Sequence, residues 1–445
     1  MTQRRRRAPS LEQTGIVASL NTDGFGVIRD GKAAFIAGAL PGEQIRYQRM
    51  RQHSKYDEAQ LLEVLQPAAE RVVPGCRFFG VCGGCALQHM DPVAQLAAKQ
   101  VELQEALRRI GQVEPAQWLA PLQGPVWHYR RRARLGAKYV RARERVLVGF
   151  RERLSGLVAA IDSCEVLAQP VGDLLAPLGA MLTTLSIRDR VPQIEVAIGD
   201  NQTGLVVRVL DPPSEQDLQT LVEFERTYGL RLFLQPGNAE SVVPLSPGDP
   251  SLSYRLPQWD LTLQFRPTDF IQINPAINRT LIAKVIDQLQ LDGQSQVLDL
   301  FCGLGNFTLP IARHAANITG VEGDAGLVQR GRDNATANGL ANVEFNVADL
   351  SKLELNASMQ AQWQKSRYSH VLLDPPRTGA REILPLVAQV RPRRVVYVSC
   401  HPGSLARDVG ILVNELGFRL EAAGAIDMFP HTTHVESIAV LSAIT

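Results

Sequence analysis

Residues 297–312 read VLDLFCGLGNFTLPIA. Val297 to Phe301 has the apolar character of a strand buried on both faces, and the glycines Gly303 and Gly305 stand at its end, where a helix should begin. Ligands of open α/β sheets sit at the carboxyl ends of strands, and glycines there let the backbone approach a ligand closely. Asp299, Gly303 and Gly305 therefore mark a small-molecule site. A dinucleotide fingerprint needs a third glycine, but Phe307 and Thr308 follow Gly305 and Asn306, so the expectation moves from NAD to S-adenosylmethionine.

Outward from this segment, helices alternate with apolar strands after Asp269, as in a parallel sheet covered on both faces. Strands are expected at Gln296 to Phe301, Asn317 to Glu322, Val343 to Val347, His370 to Asp374 and Arg394 to Ser399, and a closing β-hairpin at Phe418 to Asp427 and His434 to Leu441. Acids stand at three successive strand ends: Glu322 in ITGVEGD, placed to accept ribose hydroxyls, Asp349 in FNVADL, and Asp374 in VLLDPPR. Each alone reads as a surface carboxylate; together after a Gly-rich turn they read as a rim.

Cys400 ends the fifth strand, VVYVSC, at the same rim. Thiolate chemistry there suits one task in particular. Carbon 5 of uracil is too weak a nucleophile to attack a methyl sulfonium until a thiolate adds to carbon 6, after which a base removes the carbon-5 proton. Glu436 in HTTHVES is the candidate base. Read alone, Cys400 is more simply a buried structural cysteine.

FIQIN (270–274), LDLFCGLGNF (298–307), VEG (321–323), DPPR (374–377), YVSCHP (397–402) and HTTHVES (431–437) occur in this order. Together they resemble the RNA uracil-5-methyltransferase family across the C-terminal domain. The resemblance implies Cys400 as nucleophile, Glu436 as general base, and Gln272, Phe301, Asn306, Glu322, Asp349 and Asp374 as the S-adenosylmethionine site. His401 departs from the family, which commonly has Asn there. Cytosine-5 methylation shares the thiol logic, and a non-catalytic iron-sulfur RNA-binding protein is the alternative from another class.

The net charge of +2 over 445 residues is too mild to show a partner, but its distribution is uneven. Arg4 to Arg7 form a basic arm, and Arg130, Arg132 and Arg134 lead a crowded basic stretch that phosphate would complement. These three are the expected RNA-binding residues. No apolar run reaches the roughly 18 residues of a membrane helix, so a cytoplasmic protein off the membrane is expected, and a monomer. A chain this long implies two or three domains.

At the front, GIVASL, GFGVIRD, AAFIAGAL, GEQIRYQRM and AQLLEVL are short β-type runs between turn residues. They read as a closed barrel resembling the OB-like TRAM domain, an RNA-binding module. Cys76, Cys82 and Cys85 follow in GCRFFGVCGGCALQHM, a spacing that favours metal ligation. Cys164 is the remaining cysteine outside the catalytic domain. Four thiolates suit zinc or an iron-sulfur cluster equally; the resemblance implies a [4Fe-4S] cluster, as in the ribosomal-RNA branch, and implies that transfer-RNA relatives lack both cluster and barrel.

The expected architecture is thus multi-domain α/β. A TRAM-like RNA-binding barrel spans 8–70, a central α+β domain with the iron-sulfur cluster and the basic segment spans 71–267, and a Rossmann-like class I methyltransferase spans 268–445. The implied product is 5-methyluridine in 23S ribosomal RNA, naked or in an assembling large subunit.

Overall fold

The β-type runs at the front fold as β1 (Glu12–Ile16), β2 (Ser19–Leu20), β3 (Phe25–Ile28), β4 (Ala33–Ala37), β5 (Gln44–Gln52) and β6 (Tyr56–Gln66) in a computed structural model that describes residues 12–352, 362–365 and 367–444. The basic arm Arg4 to Arg7 lies outside the described residues. The sheet order is β1-β5-β6-β4-β3-β2. Its two ends are consecutive in sequence, joined by Val17 and Ala18. The Val17 N–H reaches Glu43 O at 3.0 Å and the Ala18 N–H reaches Val27 O at 2.8 Å, so one continuous stretch bonds to both flanks and the sheet curls on itself. Val17, Ile28, Ile36, Ile45 and Tyr47 fill its interior. The buried Glu43 carboxylate accepts from the Leu40 N–H at 2.8 Å and from Arg71 Nη2 at 2.8 Å, pinning the chain that leaves the sheet.

Contacts divide the chain into two compact units, the first containing this sheet with residues up to 97, 151–159 and 430–433, the second the remainder. Helix α1 (Pro92–Ala106) runs until a π-turn over Leu107–Gly111 closes it. In the second unit follow β7 (Gln117–Trp118), β8 (Arg132–Val140), β9 (Arg145–Gly149), α2 (Leu175–Thr184), β10 (Gln193–Ile198), β11 (Thr203–Arg208), α3 (Glu215–Tyr228), β12 (Arg231–Gln235) and β13 (Val243–Pro244). These strands make a sheet ordered β13-β12-β11-β10-β8-β9, except for β7, which belongs elsewhere. Helix α3 starts after Pro212 and Pro213, at a reciprocal cap between Ser214 and Asp217.

Strands β14 (Leu252–Leu256) and β15 (Leu261–Phe265) pair as a hairpin before α4 (Pro275–Leu289). Then come β16 (Gln296–Leu300), α5 (Thr308–Ala312), β17 (Asn317–Glu322), α6 (Ala325–Ala337), β18 (Val343–Val347), α7 (Gln362–Lys365), β19 (His370–Leu373), α8 (Leu384–Val390), β20 (Arg394–Ser399), α9 (Pro402–Asn414), β21 (Phe418–Ile426) and β22 (Glu436–Ala443). Their sheet runs β18-β17-β16-β19-β20-β22-β21-β7. It is parallel from β18 to β20, and β22 inserts antiparallel between β20 and β21. The five expected parallel strands and the reversed hairpin are therefore present.

The hydrophobic core runs across the boundary expected at 267/268. Leu252, Trp259 and Phe265 of the hairpin region are buried in one cluster with Ile277, Leu281, Val297 and Phe345. The exposed edge of β15 is taken up by α6 and its cap: Asn334 and Asn338 Oδ1 accept from the Gln264 and Thr262 N–H groups at 2.8 and 2.9 Å, and their Nδ2 groups donate to the carbonyls of the same two residues. Among the described residues no helix is long and apolar enough to cross a membrane.

Candidate active site

The turn after β16 is built from residues in left-handed conformations: Phe301 at φ +66°, Gly303 at +56° and Gly305 at +97°. For Phe301 such a backbone costs on the order of 1–3 kcal/mol, offset in part by N–H bonds from Phe301 and Cys302 to Val321 O at 2.9 and 3.2 Å. A Cβ on Gly305 would meet Leu309 Cγ at 3.1 Å and Phe345 Cζ at 3.2 Å. The Glu322 carboxylate is fixed over the turn by three backbone donors, Gly303 at 3.2 Å, Gly323 at 2.7 Å and Asp324 at 3.0 Å. Asn306 and Asn278 exchange amide hydrogen bonds at 2.8 and 2.9 Å, and the Tyr254 hydroxyl donates to Asn306 Oδ1 at 3.0 Å.

A cleft of about 500 Å³ opens at this rim. Gln272, Phe301, Asn306, Glu322, Asp374, Cys400 and Glu436 all line it, so seven of the eight expected catalytic and cofactor positions meet in one place. Asp349 is not among them: it bonds the Ser351 hydroxyl at 2.6 Å and pairs with Lys352 at 3.0 Å, on its own loop. Tyr254, Phe270 and Arg377 also line the cleft without having been singled out. Phe270 stands beside Gln272 in FIQIN, and Arg377 closes DPPR, so both motifs held the signal; Tyr254 lies outside every motif.

Burial raises three carboxyls at or beneath this rim, Asp299, Asp374 and Glu436. Asp299, fully buried and bonded to the Thr308 hydroxyl at 2.6 Å, is pushed up to about 8. Asp374 is pushed up to about 7 by burial, and Glu436 up to about 8 by burial and then by Asp374. Asp299 Oδ1 and Glu436 Oε2 are buried with no hydrogen-bond partner among the described residues. A concave site lined by such acids complements a cationic ligand, and a sulfonium with an ammonium group fits that description. The Cys400 thiol is raised by burial and by the charges of Glu436 and Asp374.

The basic stretch is less open than its sequence suggests. Arg134 is exposed but pairs with Glu195 at 3.0 Å, and Arg132, largely buried, donates to the Pro267 carbonyl and lies 4.0 Å from the same acid. Arg130 donates to the Arg132 carbonyl at 3.1 Å and stacks over Phe150.

Around the N-terminal cysteines the chain wraps tightly. The Phe79 N–H donates to Cys76 O at 3.0 Å, the Cys82 N–H to Phe78 O at 2.9 Å, and the Gly84 N–H points at Cys82 Sγ from 3.4 Å. Gly83 lies against Arg151, whose carbonyl a Cβ would meet at 2.9 Å. Among the described residues no group of three or more His, Cys, Asp or Glu is assembled to hold a metal ion. The expected four-cysteine ligand set is therefore not assembled among the described residues.

Residues 92–444 match the family model described as tRNA (Uracil-5-)-methyltransferase. The 23S rRNA (uracil(1939)-C(5))-methyltransferase RlmD of Nitrosococcus oceani is 49% identical over 431 residues, covering 96% of this chain and 95% of that protein. The protein of the same description from Alkalilimnicola ehrlichii is 48% identical over 442 residues, covering 99% of this chain and 98% of its own. Among solved structures, the tRNA (uracil-54, C5)-methyltransferase of Pyrococcus abyssi, crystallised with S-adenosyl-L-homocysteine, matches with a TM-score of 0.73 at 23% identity over 96% of this chain and 100% of that one. That likeness is one of fold. It also corrects one expectation: a match of this extent includes the front of the chain, so the N-terminal barrel does not separate ribosomal from transfer-RNA enzymes.

Proposed function

The chain belongs to the tRNA (uracil-5-)-methyltransferase family, and from that premise we propose that it methylates carbon 5 of a uridine in 23S ribosomal RNA through a covalent bond between Cys400 and carbon 6. The observation that carries this reading is the presence of Cys400 and Glu436 in the one cleft that the Gly303–Gly305 turn opens. S-adenosylmethionine supplies the methyl group as an electrophile. Gln272, Phe301, Asn306, Glu322 and Asp374 would hold it, and Asp349 must exchange Ser351 and Lys352 to join them.

Cys400, as thiolate, bonds to carbon 6 and the ring's electron pair moves onto the carbon-4 oxygen as an enolate. Carbon 5 would then bond to the methyl carbon of the donor, the methyl–sulfur bond breaking with its electron pair leaving on sulfur as a neutral thioether. Glu436 accepts the proton from carbon 5, and departure of the Cys400 thiolate restores the double bond. A cationic ligand held in the cleft would oppose the burial that favours the neutral forms of Cys400 and Glu436. The uridine must leave its stack, because carbon 6 is covered within one.

RNA carrying 5-fluorouridine tests this, since fluorine at carbon 5 cannot be removed as a proton. The protein should form a stable adduct with it that Cys400→Ala does not form. Trapping by that variant would refute the nucleophile.

The remaining parts of the reading rest on sequence. The strand order of the front sheet suits a TRAM-like RNA-binding module over 8–70, with 71–267 as a central domain contributing the basic segment and 268–445 as the catalytic domain. The spacing of Cys76, Cys82 and Cys85, the donor aimed at Cys82 Sγ, and the resemblance that adds Cys164 support a [4Fe-4S] cluster. A cytoplasmic monomer acting on the free or assembling large subunit completes the proposal.

A further inference from the structure

Lys99 is 2% exposed and lies on α1, far in sequence from every motif of the cleft. Its Nζ pairs with Asp427 Oδ1 at 2.7 Å, both side chains being almost wholly buried, and donates to the Phe429 carbonyl at 2.9 Å. On the same helix Gln100 accepts from the Ala425 N–H at 2.8 Å, and the Asp427 N–H donates to Leu122 O at 2.9 Å. The end of β21 is thus tied down at three points directly where Ile426 registers opposite Glu436.

A buried ion pair is a poor way to add stability, since an apolar pair of similar volume does as well or better. Its presence at this strand end calls for another account. We propose that Lys99 is a positioning residue for Glu436: it fixes the end of β21 against which that carboxyl is registered and presents the buried positive charge that favours its ionised form. The inference rests on Glu436 being the base.

The charged and titratable groups around Glu436 are Asp374 and Cys400 in the cleft, Asp427 and Lys99, and His434, which itself faces Arg377, Arg130 and Lys99; Glu102 acts on Lys99. Asp374 raises Glu436, and Lys99 is the group that lowers it. Removing Lys99 should therefore push the carboxyl further up and delay proton removal to higher pH.

The test separates the two halves of the reaction with wild-type protein, Lys99→Met and Lys99→Arg. Adduct formation with 5-fluorouridine RNA, which needs no base, should stay within about twofold, whereas release of methylated product from ordinary RNA should slow roughly tenfold. The acid limb of the release rate should move up by about one pH unit in Lys99→Met and return in part in Lys99→Arg. Should Lys99→Met fail to fold, the double variant Lys99→Met, Asp427→Leu removes both buried charges and gives the same readouts. Equal slowing of both halves, or an unmoved acid limb, overturns the proposal. Failure of the parent reading shows differently: Glu436→Gln would then release product at the normal rate.

Discussion

Ser404 donates its backbone N–H to Nδ1 of His401 at 3.1 Å, which makes the residue after the nucleophile the N-cap of α9. An asparagine in that place offers the same kind of acceptor, so the departure at His401 preserves the cap. His401→Asn should keep full methylation, while His401→Ala should lose about 1 kcal/mol in urea unfolding. Burial, with Arg377 and Arg407, lowers the His401 pKa. The cap therefore contributes fully above the ordinary histidine range and weakens as pH falls below it, a dependence that the Asn variant should lack.

The acids of the cleft predict the opposite trend. Glu436 at about 8 and Asp374 at about 7 titrate above their unfolded values. Their contribution is fully present below the ordinary carboxyl range and is lost as pH rises toward neutrality and beyond. Without ligand, the Tm advantage of Glu436→Gln over wild type should grow between about pH 5 and about pH 8, and S-adenosylmethionine should raise the wild-type Tm more at the higher pH. A constant difference in thermal scans would show that Glu436 is not held neutral.

Gly303 and Gly305 separate strain from crowding. A Cβ on Gly303 meets nothing within 4 Å, so Gly303→Ala should cost only the left-handed backbone, on the order of 1–2 kcal/mol. Gly305→Ala adds the contacts with Leu309 and Phe345, and should be the less stable of the two and the weaker binder of S-adenosylmethionine by calorimetry. The reverse order would mean that the turn relaxes.

Tyr254→Phe removes one hydrogen bond from Asn306 and leaves the Asn278 pair. Loss of about 1 kcal/mol corresponds to roughly fivefold weaker cofactor binding. Unchanged affinity would show that the amide pair alone orients Asn306.

For the cysteine loop, protein purified without oxygen should carry about four irons per chain, and Cys82→Ser should lose them while keeping S-adenosylmethionine affinity. Iron-free wild-type protein would remove the cluster.

The strands of the catalytic sheet were legible because most are short, largely apolar runs bounded by turn or polar residues, and Asn317–Glu322, Val343–Val347 and Arg394–Ser399 begin and end where the pattern does. Cys400 was placed at the rim by its strand end, whereas Glu436 needed the family resemblance as well. What stayed hidden is non-local. Tyr254 reaches Asn306 from another element, and Glu195 lies in register with Arg134, cancelling a charge that the run of arginines seemed to offer to solvent. Asp349 ends its strand as expected, but strand position does not set the direction in which a loop side chain turns.

Asn334 and Asn338 have a consequence beyond the catalytic half. Each presents an amide carbonyl and an amide donor to β15, as a neighbouring strand would, so the hairpin edge offers fewer open partners to the strands of other molecules. A two-stranded hairpin with its edge bare is a template for aggregation. Here a helix supplies the missing strand's chemistry, and the same two side chains that cover the edge also hold the hairpin in place.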